Sequence, residues 1–172
     1  MDKILLTELL TLAKAPRNCN DMGDFGEFKY YAPISEELII EAENELGFQI
    51  PDTLKQLYLK VGNGGFGPGY GLLGIGPDGC HDDLGRELIG RYKNHKCMNE
   101  HYELWDWPDE YLLFCYYGED SYACLDCNDS KQTVYKWDPM IMDQAKPLPE
   151  ALLSENISFE NWIRSWVDGQ FK

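Results

Sequence analysis

Apolar residues recur at helical spacing in the first third of this chain and gather into short strand-length runs in its middle, and that change of period sets the first picture of the fold. Residues 4–13 (ILLTELLTLA) read as a short amphipathic helix, followed by a polar stretch through about Tyr31 whose pattern specifies nothing definite. Ser35 is a good helix N-cap, Glu36 and Glu37 place negative charge in the first turn, and Ile34 with Ile39 can close a hydrophobic staple. Leu38, Ala42 and Leu46 then line one face, and Gly47 supplies a left-handed stop. Pro51 opens a second helix with the stripe Leu54, Leu57, Tyr58 and Val61, ended by Gly62. Asp82 or Asp83 is expected to cap another helix carrying Leu84, Leu88, Ile89 and Tyr92.

The segment Trp105-Asp-Trp107-Pro108 breaks regularity, and three strand-like runs follow at 111–117, 121–126 and 132–137. The turns between them, Gly118-Glu-Asp and Asn128-Asp-Ser, are short enough for hairpins, so an antiparallel meander is expected. Ser158 caps a last helix with Phe159, Trp162, Ile163 and Trp166 on its apolar face. Helices, then a sheet, then a closing helix make an α+β chain, one domain over residues 1–172 with an antiparallel sheet packed by helices.

Residues 62–79 hold nine of the 16 glycines, and G-x-G-x-x-G matches begin at Gly62, Gly69 and Gly74. Half the positions are glycine, so such matches arise by chance, and the first follows a helix rather than a strand. No Lys or Arg in the segment meets a phosphate. It reads instead as a turn-rich loop in which Phe66 and Tyr70 supply contact area and Leu72, Leu73 and Ile75 form a short buried strand.

Charge then narrows the function. Thirty Asp and Glu oppose 15 Lys and Arg, a net charge of −15, which repels nucleic acid and anionic lipid. From Cys97 to Ser130 there is no Lys or Arg, while Glu100, Glu103, Asp106, Asp109, Glu110, Glu119, Asp120, Asp126 and Asp129 all fall inside. A solvated face kept for solubility is the competing explanation of such a run. The longest unbroken apolar run, Tyr111 to Tyr117, is far short of the roughly 20 residues that cross a bilayer. The N-terminus has no basic leader and places Glu8 where an export signal is apolar, so a cytoplasmic location is expected. In that compartment the six cysteines are expected to be small, buried, reduced thiols.

The ordered set Ile34-Ser-Glu-Glu, Glu41, Glu45-Leu-Gly47, Ile50-Pro51, Leu57, Asn63-Gly64-Gly65 and Gly67-Pro-Gly-Tyr-Gly-Leu-Leu73 resembles the N-terminal signature of the SUKH superfamily, which includes fungal cell-wall-assembly regulators of Smi/Knr type. Trp107-Pro108, Gly118-Glu-Asp120, Leu125-Asp126, Val134-Tyr135, Trp137-Asp138 and Ser158-Phe159 resemble the rest of the pattern in order. The resemblance covers about 34–167 and leaves residues 1–31 outside. It implies an α+β fold without enzymatic activity, and, for bacterial members, immunity proteins that bind cognate secreted toxins, often nucleases or nucleic-acid deaminases. Fungal relatives act as regulatory interaction proteins.

Residues and resemblance together point to a binding protein that covers a basic toxin, with no cofactor and no nucleic-acid or membrane partner. The candidate partner-binding residues are Tyr70, Asp106, Asp109, Glu110, Tyr117, Glu119 and Asp120, carboxylates for steering and register and tyrosines for desolvated anchors. Two other readings compete: a regulatory scaffold of the cell-wall type, and a metal-dependent hydrolase. For the latter, Cys97, His101, Cys124 and Cys127 spell a Cys₃His zinc set, but a single C-x-x-C in strand-like sequence is weak support, and no metal is assigned. His81, His95 and His101 read as exposed, solvated side chains.

Overall fold

A computed structural model describes residues 1–15, 29–142 and 147–171. Helix α1 (Lys3–Lys14) is capped by Asp2, whose carboxylate accepts from the Leu5 N–H at 2.8 Å, and it buries Leu5, Leu9 and Ala13. Helix α2 (Glu36–Leu46) begins where Ser35 Oγ accepts from the Leu38 N–H and ends at Gly47, at φ 83°. Its buried stripe is Ile39, Ala42 and Leu46, with Leu38 only half-buried, a rotation of the expected face by one residue. Helix α3 (Asp52–Lys60) follows Pro51 and buries Leu54, Leu57 and Tyr58 as its spacing requires.

Five strands form one antiparallel sheet in the order β1-β2-β3-β4-β5: β1 (Gly71–Leu72), β2 (Tyr111–Gly118), β3 (Ser121–Asp126), β4 (Thr133–Trp137) and β5 (Leu152–Ser158). The β2–β3 turn places Glu119 and Asp120 at φ 52° and 61°, the left-handed pair that a two-residue hairpin requires. In the next connection, Asp126 and Asp129 fold the chain back by accepting from the N–H groups of Asn128, Lys131 and Thr133. The expected strand over Leu72, Leu73 and Ile75 shrinks to Gly71–Leu72, although both later residues are buried. Strand β5 has no counterpart in the sequence reading. It lies at the sheet edge with both faces partly wet, so LLSENIS carries no alternation to announce it.

Helical layers cover both faces of the sheet. On one, Phe114 of β2 meets Phe159 and Trp162 of α7 (Phe159–Val167) at 5.1 and 5.2 Å, ring centre to ring centre. Ser158 caps α7 as anticipated, and Arg164 ties it to α1 through Asp2 and Glu8. On the other, α4 (Leu88–Cys97) lies along the sheet with His95 against Trp137 and Tyr122. The short helices α5 (Pro139–Met142) and α6 (Leu148–Ala151) lead from β4 to β5. One contiguous apolar cluster runs from Leu5 to Ile163.

The helix expected from Asp82 or Asp83 starts later. Glu87 is its cap, its carboxylate accepting from the Ile89 and Gly90 N–H groups, while Leu84 lies 70% exposed. Asp82 instead holds a tight turn by accepting from the N–H groups of Leu84 and Arg86, and Gly85 at φ 75° fits that turn better than a helix.

The glycine-rich segment is a crossing of three backbone strands. Asn63 brackets Ile75, donating to its carbonyl and accepting from its N–H, both at 2.8 Å; Gly65 N–H donates to Leu72, Gly74 N–H to Cys80, and Cys80 N–H back to Asn63. A Cβ on Gly64 would stand 2.5 Å from the Leu72 carbonyl oxygen, closer than packed atoms allow. Glycine is there because backbone passes over backbone, with its polar groups turned inward to each other rather than outward to a phosphate.

Candidate protein-binding surface

The two ends of α4 organise the acidic residues. At its N-terminal end, Arg91 is almost fully buried, its guanidinium 4.3 Å from the Tyr122 ring centre and donating to Asp120 at 2.8 Å. Arg86 donates to Asp82 at 2.7 Å and pairs with Asp120 at 3.4 Å, and Tyr122 OH donates to Asp82 at 2.9 Å. Burial pushes the Asp82 carboxyl up, but bonds from the Arg86 backbone and guanidinium and from Tyr122 outweigh it and hold the group below its ordinary value. Two carboxylates thus face two guanidinium groups, and Asp120, although exposed, is paired to arginines of its own chain. Tyr70 belongs to the same end: it stacks on Tyr116 at 5.1 Å and lies over Gly118, where a Cβ would meet its ring at 2.7 Å.

At the other end, Lys96 pairs with Asp109 and donates to the Trp107 carbonyl. Asn99 accepts from the Trp107 N–H at 2.7 Å, Trp107 Nε1 donates to the Tyr111 carbonyl, and Trp105 Nε1 donates to the His95 carbonyl at 2.8 Å. Trp105, Trp107 and Trp137 pack around the His95 ring at centroid distances of 5.1, 4.6 and 5.8 Å. Outside this cage Glu100, Glu103, Asp106 and Asp109 are exposed and Glu110 is half-buried.

The candidate set is therefore divided. Asp106, Asp109 and Glu110 stand at the start of β2, whereas Tyr70, Glu119 and Asp120 gather at its far end, about 23 Å away for an eight-residue strand. Tyr117 is on the α7 face, next to Phe171 and within 3.5 Å of Glu155, and burial pushes its hydroxyl well up.

A model of the SMI1 / KNR4 family (SUKH-1) matches residues 33–165. The chain belongs to this family. The matched span contains the glycine crossing, the tryptophan cage and both acidic ends, and leaves α1 outside, as the sequence signature did. No curated protein matches the chain.

His95 corrects the expectation that the histidines of this SUKH-1 protein face water. It is 2% exposed, and neither ring nitrogen has a hydrogen-bond partner among the described residues. Burial, with Arg91 nearby, pushes its pKa well below the ordinary histidine value. The unfolded chain takes up a proton near pH 6.5 that the folded chain refuses, so stability falls as pH drops below 6.5, by up to about 1.4 kcal/mol per pH unit. His95→Leu should remove this dependence between pH 7.5 and 5.5; a wild-type urea midpoint equally flat over that range would show that the cage accepts the proton.

The residues written down as a zinc set do not assemble. Cys97 Sγ lies 3.9 Å from His101 Nε2, both exposed, while Cys124 is wholly buried in β3 with its thiol pushed up by burial. Cys127, beyond the strand end, is pushed up to about 12 by the same cause. Among the described residues no three His, Cys, Asp or Glu side chains converge as metal ligands do. Cys115 and Cys124 fit the expected buried thiol, Cys97 does not, and Cys19 lies outside the described residues. No helix among the described residues is long and apolar enough to cross a membrane.

Two surface residues escaped the sequence reading. Tyr102 and Leu104 stand 58% and 43% exposed among the carboxylates of the α4–β2 connection. Their signal was present: apolar residues interleaved with Glu and Asp beside the irregular Trp105-Asp-Trp107-Pro108.

Proposed function

We propose that this SUKH-1 protein is an immunity protein that neutralises a cognate toxin, a nuclease or a nucleic-acid deaminase, by binding it stoichiometrically and without catalysis. The observation that carries this reading is the exposed row Glu100, Glu103, Asp106 and Asp109 within a stretch that has no Lys or Arg from Cys97 to Ser130. A protein that binds phosphate backbones presents a basic cleft, and an acidic surface competes for that cleft with long-range attraction and charge-matched register. Family membership is compatible with this reading without singling it out, and the resemblance to cell-wall-assembly regulators of Smi/Knr type gives a second one, a regulatory scaffold.

Co-expression with a panel of basic toxin domains separates the two. The expected result is growth rescue by one domain, co-purification at one-to-one stoichiometry, and an affinity that falls as salt rises. Rescue by none, or rescue at sub-stoichiometric levels of this chain, would overturn it.

A further inference from the structure

The α4–β2 connection, residues 98–110, contains only one 3₁₀ turn (Met98–Glu100) as regular structure, yet it is fastened along its length. Tyr102 N–H donates to Met98, Trp105 N–H to Tyr102, and Leu148 N–H to the Leu104 carbonyl. Asn99 holds the Trp107 N–H, and Lys96 and Asn99 both donate to its carbonyl. Trp105 and Trp107 point inward to the His95 cage, which turns the intervening and preceding side chains outward: Tyr102, Glu103, Leu104 and Asp106. A loop this long normally remains mobile unless it serves a function, and one rigidified before binding loses little entropy on docking.

We infer that residues 98–110 are the partner-docking surface, with Tyr102 and Leu104 as apolar anchors inside a rim of Glu100, Glu103, Asp106 and Asp109, and that the partner is a basic protein presenting an apolar depression ringed by Lys or Arg. This rests on the immunity reading above and narrows it to one end of β2. Charge complementarity selects the partner: four exposed carboxylates flank the two anchors along the chain, and among the described residues only Asp109 has an ion-pair partner, Lys96. Tyrosine at the centre of such a rim is the residue type that carries binding energy, since its ring buries a large area with few rotors to fix. The far end of β2 fits this role less well, because Asp120 is already held by Arg86 and Arg91.

The test uses the full chain and the toxin domain that it rescues, inactivated so that the complex can be prepared. Binding is measured by calorimetry at two salt concentrations for the wild type, Y102A/L104A, E103K/D106K, and the charge-matched control D78K/D168K. All six substituted residues are exposed, and an unchanged urea midpoint verifies the fold. Y102A/L104A should lose at least about thirty-fold in affinity at both salts. E103K/D106K should lose at least about tenfold at low salt and show a flatter salt dependence. The control should stay within about threefold, since distant surface charges are screened. If both loop variants bind like the wild type while Y70A or E119K does not, the partner docks at the hairpin end and the loop inference falls with the immunity reading intact. If the wild type itself binds no toxin domain of the panel, the immunity reading fails and takes the loop with it.

Discussion

Trp107→Ala is expected to cost about 3–5 kcal/mol of folding stability and to release the loop that it anchors. The side chain is 1% exposed and shares contacts with His95, Trp105 and Trp137, so truncation opens a cavity that the two neighbouring indoles cannot collapse into without giving up their own contacts. The Nε1–H bond to the Tyr111 carbonyl disappears with the ring, at the point where the chain enters β2. Urea unfolding should show the loss as a lower midpoint, and hydrogen exchange should show faster exchange over residues 98–110. Trp107→Phe keeps most of the packing and should cost less than half as much. A loss below about 1 kcal/mol for the alanine variant would mean that the cage is not a cooperative part of the core.

Gly74→Ala is the second large effect, expected at about 3 kcal/mol or more. Gly74 does not need a left-handed backbone; the obstacle is space. A methyl group there would press on the Cys80 amide nitrogen, stand 2.5 Å from Gly79 Cα and 2.6 Å from the Asn63 carbonyl oxygen, and all three belong to backbone that cannot rotate away. The displacement would break the bonds of Gly74 to Cys80 and of Cys80 to Asn63, which close the crossing. Gly85 isolates the other contribution, because its φ is 75° and none of the described residues comes within 4 Å of an added Cβ, so Gly85→Ala should cost only about 1–2 kcal/mol. Similar losses for the two variants, measured by thermal or urea unfolding, would refute the steric account of the glycine-rich segment.

These two sites explain why the family signature has the form it does in this chain. Asn63, Gly64 and Gly65, then the run Gly67 to Leu73, are the residues of the backbone crossing, and Trp107-Pro108 opens β2 from the cage. Both are fold-determining features, and neither identifies a partner. The partner is left to surface chemistry, which is why the binding reading rests on exposed carboxylates and on Tyr102 and Leu104 rather than on the signature.

Local patterning by itself determined the helices α1, α2, α3 and α7, the serine caps of α2 and α7, the three central strands and their hairpin turns, because period, cap residue and turn chemistry are written within a few neighbouring positions. It also determined where the acidic surface had to be sought. Tertiary structure alone decided the rest. Glu87 rather than Asp82 starts α4, since Tyr122, distant in sequence on β3, claims the Asp82 carboxylate together with Arg86 of the same turn. His95 is buried among indoles supplied by residues 105, 107 and 137, a neighbourhood that no local window contains. Strand β5 exists because β4 offers it an open edge, and the carboxylates that read as one set are parted by the length of β2. The physical reason is the same throughout: short-range rules fix backbone shape, whereas burial, charge partners and exposed anchors depend on which distant segments the fold brings into contact.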